Sequence, residues 1–125
     1  MKKLSNPEIQ TEAINYIKKN EEGLSEAQQG LGYDLVGNGK FIEVKGTAGD
    51  DASSGLILNS QEEYDCLKEH KSVMYRVLGV NNEGKKMTII QLVWEDIKPT
   101  LEPRWRVRLN ESGKKKVEEA LSKNP

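Results

Sequence analysis

Apolar positions recur at helical spacing near the start of the chain and at alternating spacing through its middle. Ile9, Ala13, Tyr16 and Ile17 fall three or four apart, the period of one buried helix face, and predict a helix over residues 6–22. Asn6 suits its N-cap, Pro7 and Glu8 suit its first turn, and Gly23 can end it. Residues 23–32 are polar and glycine-rich and predict a connector. From Tyr33 the period becomes two. Tyr33, Leu35, Ile42 and Val44 alternate with Asp34, Val36, Phe41, Glu43 and Lys45, which predicts two strands with the first set facing the core. Gly37-Asn38-Gly39-Lys40 between them tolerates positive φ and predicts a four-residue hairpin loop. An antiparallel hairpin closed there sets Val36 opposite Phe41, Leu35 opposite Ile42, Tyr33 opposite Val44 and Asp34 opposite Glu43.

Beyond the hairpin, Gly46 to Gly55 is small and acidic and reads either as a flap or as a plain surface loop. Leu56 to Leu58 predicts a short buried strand. Ser60-Gln61-Glu62-Glu63 has the capping-box pattern, so a helix starts at Ser60 and runs to about Lys71, with Tyr64, Leu67 and Cys66 on its apolar side. Strands are expected over 73–80 and 87–93, about a turn at Asn81-Asn82-Glu83-Gly84. Pro99 and Pro103 predict an irregular stretch over 94–103. Arg104, Arg106 and Arg108 then alternate with Trp105, Val107 and Leu109, a strand with apolar residues on one face and arginines on the other. A last helix from Glu111 carries Val117, Ala120 and Leu121, with Lys114 to Lys116 solvated and the end fraying beyond Ser122. The expected fold class is α/β, a mixed sheet flanked by helices.

Composition narrows the chemistry. A chain of 125 residues is expected to form a single domain over 1–125. The formal net charge of −1 argues against a basic coat over the whole surface while leaving a local basic face open. One cysteine, Cys66, and one histidine, His70, exclude an intrachain disulfide, a cysteine-rich zinc site and a multi-histidine metal site. The sequence shows no signal-peptide pattern and no apolar run of membrane-spanning length, so a cytoplasmic setting without membrane contact is the expectation.

The hairpin carries the one electrostatic conflict. Asp34 opposite Glu43 places two carboxylates on the same face at about 4.5–5.5 Å between Cβ atoms, where like charges destabilise a sheet. A divalent cation held by both removes the conflict, because hard cations take carboxylate oxygens. Lys45 follows on the same face, and two acids with a lysine suit metal-assisted hydrolysis of a phosphodiester.

Asp34 followed by Glu43-Val44-Lys45 resembles the core of the PD-(D/E)XK nuclease superfamily. The surrounding words, Gly32-Tyr33-Asp34-Leu35 and Phe41-Ile42-Glu43-Val44-Lys45-Gly46-Thr47, are similar to the NO VEIN C-terminal-like domain over roughly Glu8 to Leu92. The proline of the superfamily's name is replaced by Tyr33. The resemblance implies a restriction-endonuclease-like core in αβββαβ order with extra C-terminal strands and a helix. It implies Mg²⁺ or Mn²⁺ held by Asp34, Glu43 and the Val44 carbonyl, with Lys45 orienting or deprotonating the attacking water. It further implies a glutamate reaching the site from the first helix. Glu12 is the best-placed match, and it reads equally as a solvated helix acid. Nucleic acid is then the partner, DNA before RNA, with a homodimer or a recruiting protein as further partners. Arg104, Arg106 and Arg108 read either as a phosphate-contacting stripe or as a charged face that keeps an edge strand soluble. The alternative function is a nuclease-like fold used only to bind nucleic acid or protein, since fold does not fix function.

Overall fold

The computed structural model describes residues 5–53, 55–81, 86–101 and 105–123. In chain order the elements are α1 (Asn6–Asn20), β1 (Ser25–Glu26), β2 (Leu35–Gly37), β3 (Lys40–Gly46), β4 (Ile57–Leu58), α2 (Gln61–Lys68), β5 (Ser72–Leu78), β6 (Thr88–Leu92), β7 (Ile97–Leu101), β8 (Trp105–Leu109) and α3 (Glu111–Ser122). A 3₁₀ turn at Trp94–Asp96 precedes β7.

The N-cap of helix α1 is Ser5, one residue before the expected Asn6. Ser5 Oγ accepts the Glu8 N–H at 3.3 Å, and the Glu8 carboxylate accepts the Ser5 N–H at 3.1 Å. This reciprocal box satisfies two donors that Asn6 does not reach. The hairpin register is the expected one, with Leu35 opposite Ile42 and Val36 opposite Phe41. Pairing runs one step further, to Gly37 opposite Lys40. The loop is therefore two residues, Asn38-Gly39, with φ of 54° and 76°, the left-handed pair that a tight hairpin turn needs.

The main sheet has five strands in the order β1-β2-β3-β5-β6. Strands β3 and β5 run parallel and the other neighbours antiparallel, so the fold is α/β with a mixed sheet. Strand β1 escaped prediction because Ser25 and Glu26 are both exposed and carry no apolar period. One sheet face packs Leu35, Ile42, Val44, Tyr75 and Val77 against Ala13 and Ile17 of α1. The other packs Met74, Leu78, Ile90 and Leu92 with Leu58, Leu67, Val107 and Leu109. Residues of α2 and of a second sheet thus share one core. That second sheet is antiparallel, in the order β4-β8-β7.

Strand β7 replaces the irregular stretch expected over 94–103. Pro99 sits inside it, opposite Val107. A proline cannot donate to a ladder, and β7 is an edge strand, where that loss is tolerated. Residues 82–84 of the expected Asn81–Gly84 turn, and Arg104 of the arginine stripe, lie outside the described residues.

The segment after β3 is fastened rather than flap-like. Gly79 N–H donates to Gly49 O at 2.9 Å, and Thr47 exchanges backbone bonds with Val77 and Val80. Arg76, only 1% exposed, donates through Nε to Ala52 O at 2.9 Å and through Nη1 to Lys45 O and Gly46 O at 3.4 Å. Burial lowers its pKa to about 10, with the Asp51 charge acting the other way. One buried cation thus holds the end of β3 to the loop that follows it.

Candidate active site

The β2 ladder stops at Leu35, and the site begins where it stops. Asp34 gives its N–H to Ile42 O at 2.7 Å, but its carboxylate takes over the ladder's next donor. Oδ2 accepts the Val44 N–H at 2.8 Å. A side chain is thus spliced into the backbone pattern of β3. Gly32 makes the approach possible. Its φ is +88°, and a Cβ there would lie 2.6 Å from Glu62 O of α2, so only glycine fits before Tyr33-Asp34.

Glu43 and Lys45 project from β3 into a cavity of about 640 Å³, which Asp34, Gln10, Glu63 and Arg76 also line. Glu43 is 2% exposed. Burial is the largest cause holding its carboxyl well above the ordinary value of 4.5. The Lys45 charge opposes that shift, and the charges of Asp34 and Glu63 add to it. Asp34 and Glu43 line the same cavity, and the Asp34 charge is one of those pushing the Glu43 carboxyl upward. The β2–β3 ladder ends before Asp34 and Glu43 would pair, yet the two carboxyls reach one cavity, where burial first and neighbouring acids second disfavour a charge on Glu43.

Lys45 lies between two acids, 3.3 Å from Glu43 Oε1 and 2.9 Å from Glu63 Oε1. Burial alone would lower its pKa, but Glu43 and Glu63 outweigh it and the net shift is upward. Lys45 is thus held between two carboxylates that favour its charged form.

Two site residues went unread in the sequence. Glu63 reads locally as the second half of a capping box. Only one half forms, with Ser60 Oγ accepting the Glu63 N–H at 3.2 Å. The Glu63 carboxylate instead takes the Asn59 N–H at 3.0 Å and Lys45. The second is Gln10. Its Nε2 donates to Val44 O at 2.8 Å and to Asp34 Oδ2 at 3.3 Å. Both partners are acceptors, so the amide nitrogen must face them.

Helix α1 does reach the site, but through Gln10 and not through Glu12. Two residues advance about 200° around a helix, and Glu12 is exposed and does not line the cavity. The period that marks the apolar stripe does not distinguish a polar residue beside the site from one facing solvent. Among the described residues, no group of three or more His, Cys, Asp or Glu side chains is arranged to hold a metal ion. Asp51 caps the Ser53 N–H at 3.0 Å. His70 follows α2 with φ 58° and meets Glu95 at 2.5 Å, away from the cavity lining.

Arg106 and Arg108 are exposed on β8 and line a second cavity of about 490 Å³ with Lys114. The two cavities share Gly55 and Ile57 in their walls, so the arginines border an extension of the same surface.

The family described as Protein NO VEIN, C-terminal, matches residues 8–91. The chain belongs to the NO VEIN C-terminal family. The matched span runs from α1 through most of β6 and contains Gln10, Asp34, Glu43, Lys45 and Glu63, so all five residues of the acid–lysine site are family territory. Strands β7 and β8 and helix α3 lie beyond it. No curated protein and no solved structure matches the chain. Among the described residues no helix is long and apolar enough to cross a membrane.

Proposed function

We propose that this NO VEIN C-terminal domain is a divalent-metal-dependent nuclease of PD-(D/E)XK type that hydrolyses phosphodiester bonds in DNA. The observation that supports the reading is the approach of half-buried Asp34 and buried Glu43 in one open cavity beside Lys45. Two carboxylates forced together without a shared cation is a costly arrangement for a fold to keep. The donor chemistry fits a hard cation, since Asp34, Glu43 and the Val44 carbonyl supply only oxygens. Those three would hold Mg²⁺ or Mn²⁺, and Gln10 would have to release Asp34 and Val44. When bound, the metal supplies Lewis acidity and a water of lowered pKa.

The chain's own residues do the rest. Lys45 presents a positive charge where the phosphoryl oxygens gain negative charge in the transition state, and it is already held there by Glu63. Asp34 and Glu43 set the position of the reaction centre because one is fixed to the Val44 N–H and the other is packed inside the sheet. Arg106 and Arg108 would neutralise phosphates flanking the scissile bond.

A second reading has an observation in its favour. Gln10 already satisfies Asp34 and Val44 O with neutral donors, which suits a nuclease-like domain that binds nucleic acid without cutting it. Calorimetric titration with Mn²⁺ separates the two. The nuclease reading expects one site per chain, lost in Glu43→Gln. A heatless titration of the parent protein contradicts it.

A further inference from the structure

The outer face of the small sheet repeats, with the opposite sign, the conflict seen at Asp34 and Glu43. In the register of β7 and β8, Lys98 lies directly opposite Arg108, and Thr100 opposite Arg106. Cross-strand partners share a face, and because Lys98, Arg106 and Arg108 are exposed it is the outer one. Two cations stand opposed at about 4.5–5.5 Å between Cβ atoms, with a third two residues along the same strand, an arrangement that destabilises a sheet. Among the described residues, none of the three has an ion pair. That differs from Lys18, Lys40, Lys45 and Lys116, each of which meets a carboxylate. Lys114 of α3 lines the same cavity as Arg106 and Arg108, and among the described residues its acidic contact is Glu111 at 3.8 Å, with both side chains largely in water.

Solubility alone asks less of an edge strand than this. One exposed lysine on β7 blunts the edge, whereas opposing it with Arg108 adds repulsion. What relieves it is an anion shared between the two strands. The cavity at Arg106, Arg108 and Lys114 meets the acid–lysine cavity at Gly55 and Ile57. A polyanion leaving the acid centre along that shared wall therefore reaches the cationic face without crossing a second acidic patch.

We propose that the outer face of the small sheet, with Lys98, Arg106 and Arg108, continued by Lys114 of α3 in the adjoining cavity, is a phosphate-backbone track for a polynucleotide that extends from the acid–lysine site. This rests on the nuclease reading and deepens it. The substrate is a polymer that spans both cavities rather than a dinucleotide or a small phosphodiester. An exposed face supported by side chains on two strands reads charge and spacing and not base identity, so the track binds without sequence preference.

The test uses fluorescence anisotropy of the full chain with labelled single-stranded DNA of a few nucleotides and of about twenty, over a salt series without metal. The long strand should bind more tightly than the short one, and its salt slope should fall by about 0.7 for each contact removed in Lys98→Ala, Arg108→Ala and Lys114→Ala. Lys18→Ala, remote and paired with Glu26, should leave the slope unchanged. A second measurement needs no ligand at the outset. Lys98→Gln should raise the melting temperature of the free protein by relieving the Lys98–Arg108 repulsion, and saturating long DNA should erase that difference.

A steep slope unaffected by all three substitutions overturns the track and leaves the nuclease reading standing. So does a Lys98→Gln protein that melts no higher than the parent. Loss of slope in the variants from a protein that never cleaves supports the track while refuting the nuclease. Salt-sensitive binding to anionic lipid vesicles, in place of DNA, also overturns it.

Discussion

Replacing Asp34 with asparagine changes one charge and almost nothing else. The introduced amide's carbonyl can still accept the Val44 N–H that Asp34 accepts at 2.8 Å, and its NH₂ can donate toward Glu43. What disappears is the repulsion between two carboxyls that line one cavity and act on each other's charge. Two full charges about 4 Å apart interact by roughly 4 kcal/mol at an effective dielectric of 20. The nearby Lys45 and the proton that Glu43 favours reduce this to about 1–2 kcal/mol of relief. For a chain of this size that is a rise of about 3–8 °C in the melting temperature of the metal-free protein. Asp34→Ala removes the same charge but strands the N–H of Val44, whose residue is fully buried, at a cost of about 1–3 kcal/mol. The asparagine variant should therefore melt above the parent, and the alanine variant below the asparagine one.

The pH dependence follows from the sign of the Glu43 shift. An acid whose folded pKa is raised contributes stability below its unfolded value of 4.5 and loses it as pH rises through the higher folded value. The advantage of Asp34→Asn should open as the solution is taken up from about pH 4.5 and close again on acidification. Thermal melts by circular dichroism across pH, with and without Mn²⁺, are the assay. Saturating metal should stabilise the parent by mass action, about 2.7 kcal/mol at one hundred times its dissociation constant, and leave Asp34→Asn unmoved. An Asp34→Asn protein that melts at or below the parent at neutral pH refutes the reasoning.

Gln10→Glu places a third carboxylate against Asp34 and Val44 O, so the metal-free protein should lose stability while the melting shift induced by Mn²⁺ grows; a smaller shift than the parent's counts against the assigned geometry. Lys45→Ala leaves Glu43 and Glu63 without the cation between them, and calorimetry should find Mn²⁺ bound at least as tightly as by the parent while cleavage falls by at least tenfold. Arg76→Ala unties three carbonyls in the interior and should cost about 3 kcal/mol in urea denaturation, with amide exchange quickening over residues 46–52 more than in β6.

Most of the site was written in the hairpin. Alternation alone put Asp34, Glu43 and Lys45 on one face, and the register of Leu35 with Ile42 fixed which residues stand opposed. The elements read well where apolar period and turn chemistry agree, as in α1, β3, β5 and α3. They read poorly where a local rule had a tertiary exception. Pro99 signals a break, yet it sits in β7 because, among the described residues, β7 is the edge strand of its sheet. Glu63 signals a cap, yet its carboxylate turns to Lys45, eighteen positions away along the chain. Gln10 carries no charge and no motif. Its role depends on the rotation of α1 against β3, which no local pattern encodes. Glu12 has the residue type the chemistry prefers and the wrong azimuth.

If Asp34 and Glu43 form a metal-loaded hydrolytic centre, the most direct measurement of it is cleavage of end-labelled single- and double-stranded DNA. Purified protein is assayed in Mg²⁺ or Mn²⁺, beside EDTA and beside Glu43→Gln prepared identically. The expected result is metal-dependent cleavage by the parent, none in EDTA, and none by Glu43→Gln while that variant retains its fold and its salt-sensitive DNA binding. Intact DNA in every lane, or cleavage that survives Glu43→Gln, contradicts that centre.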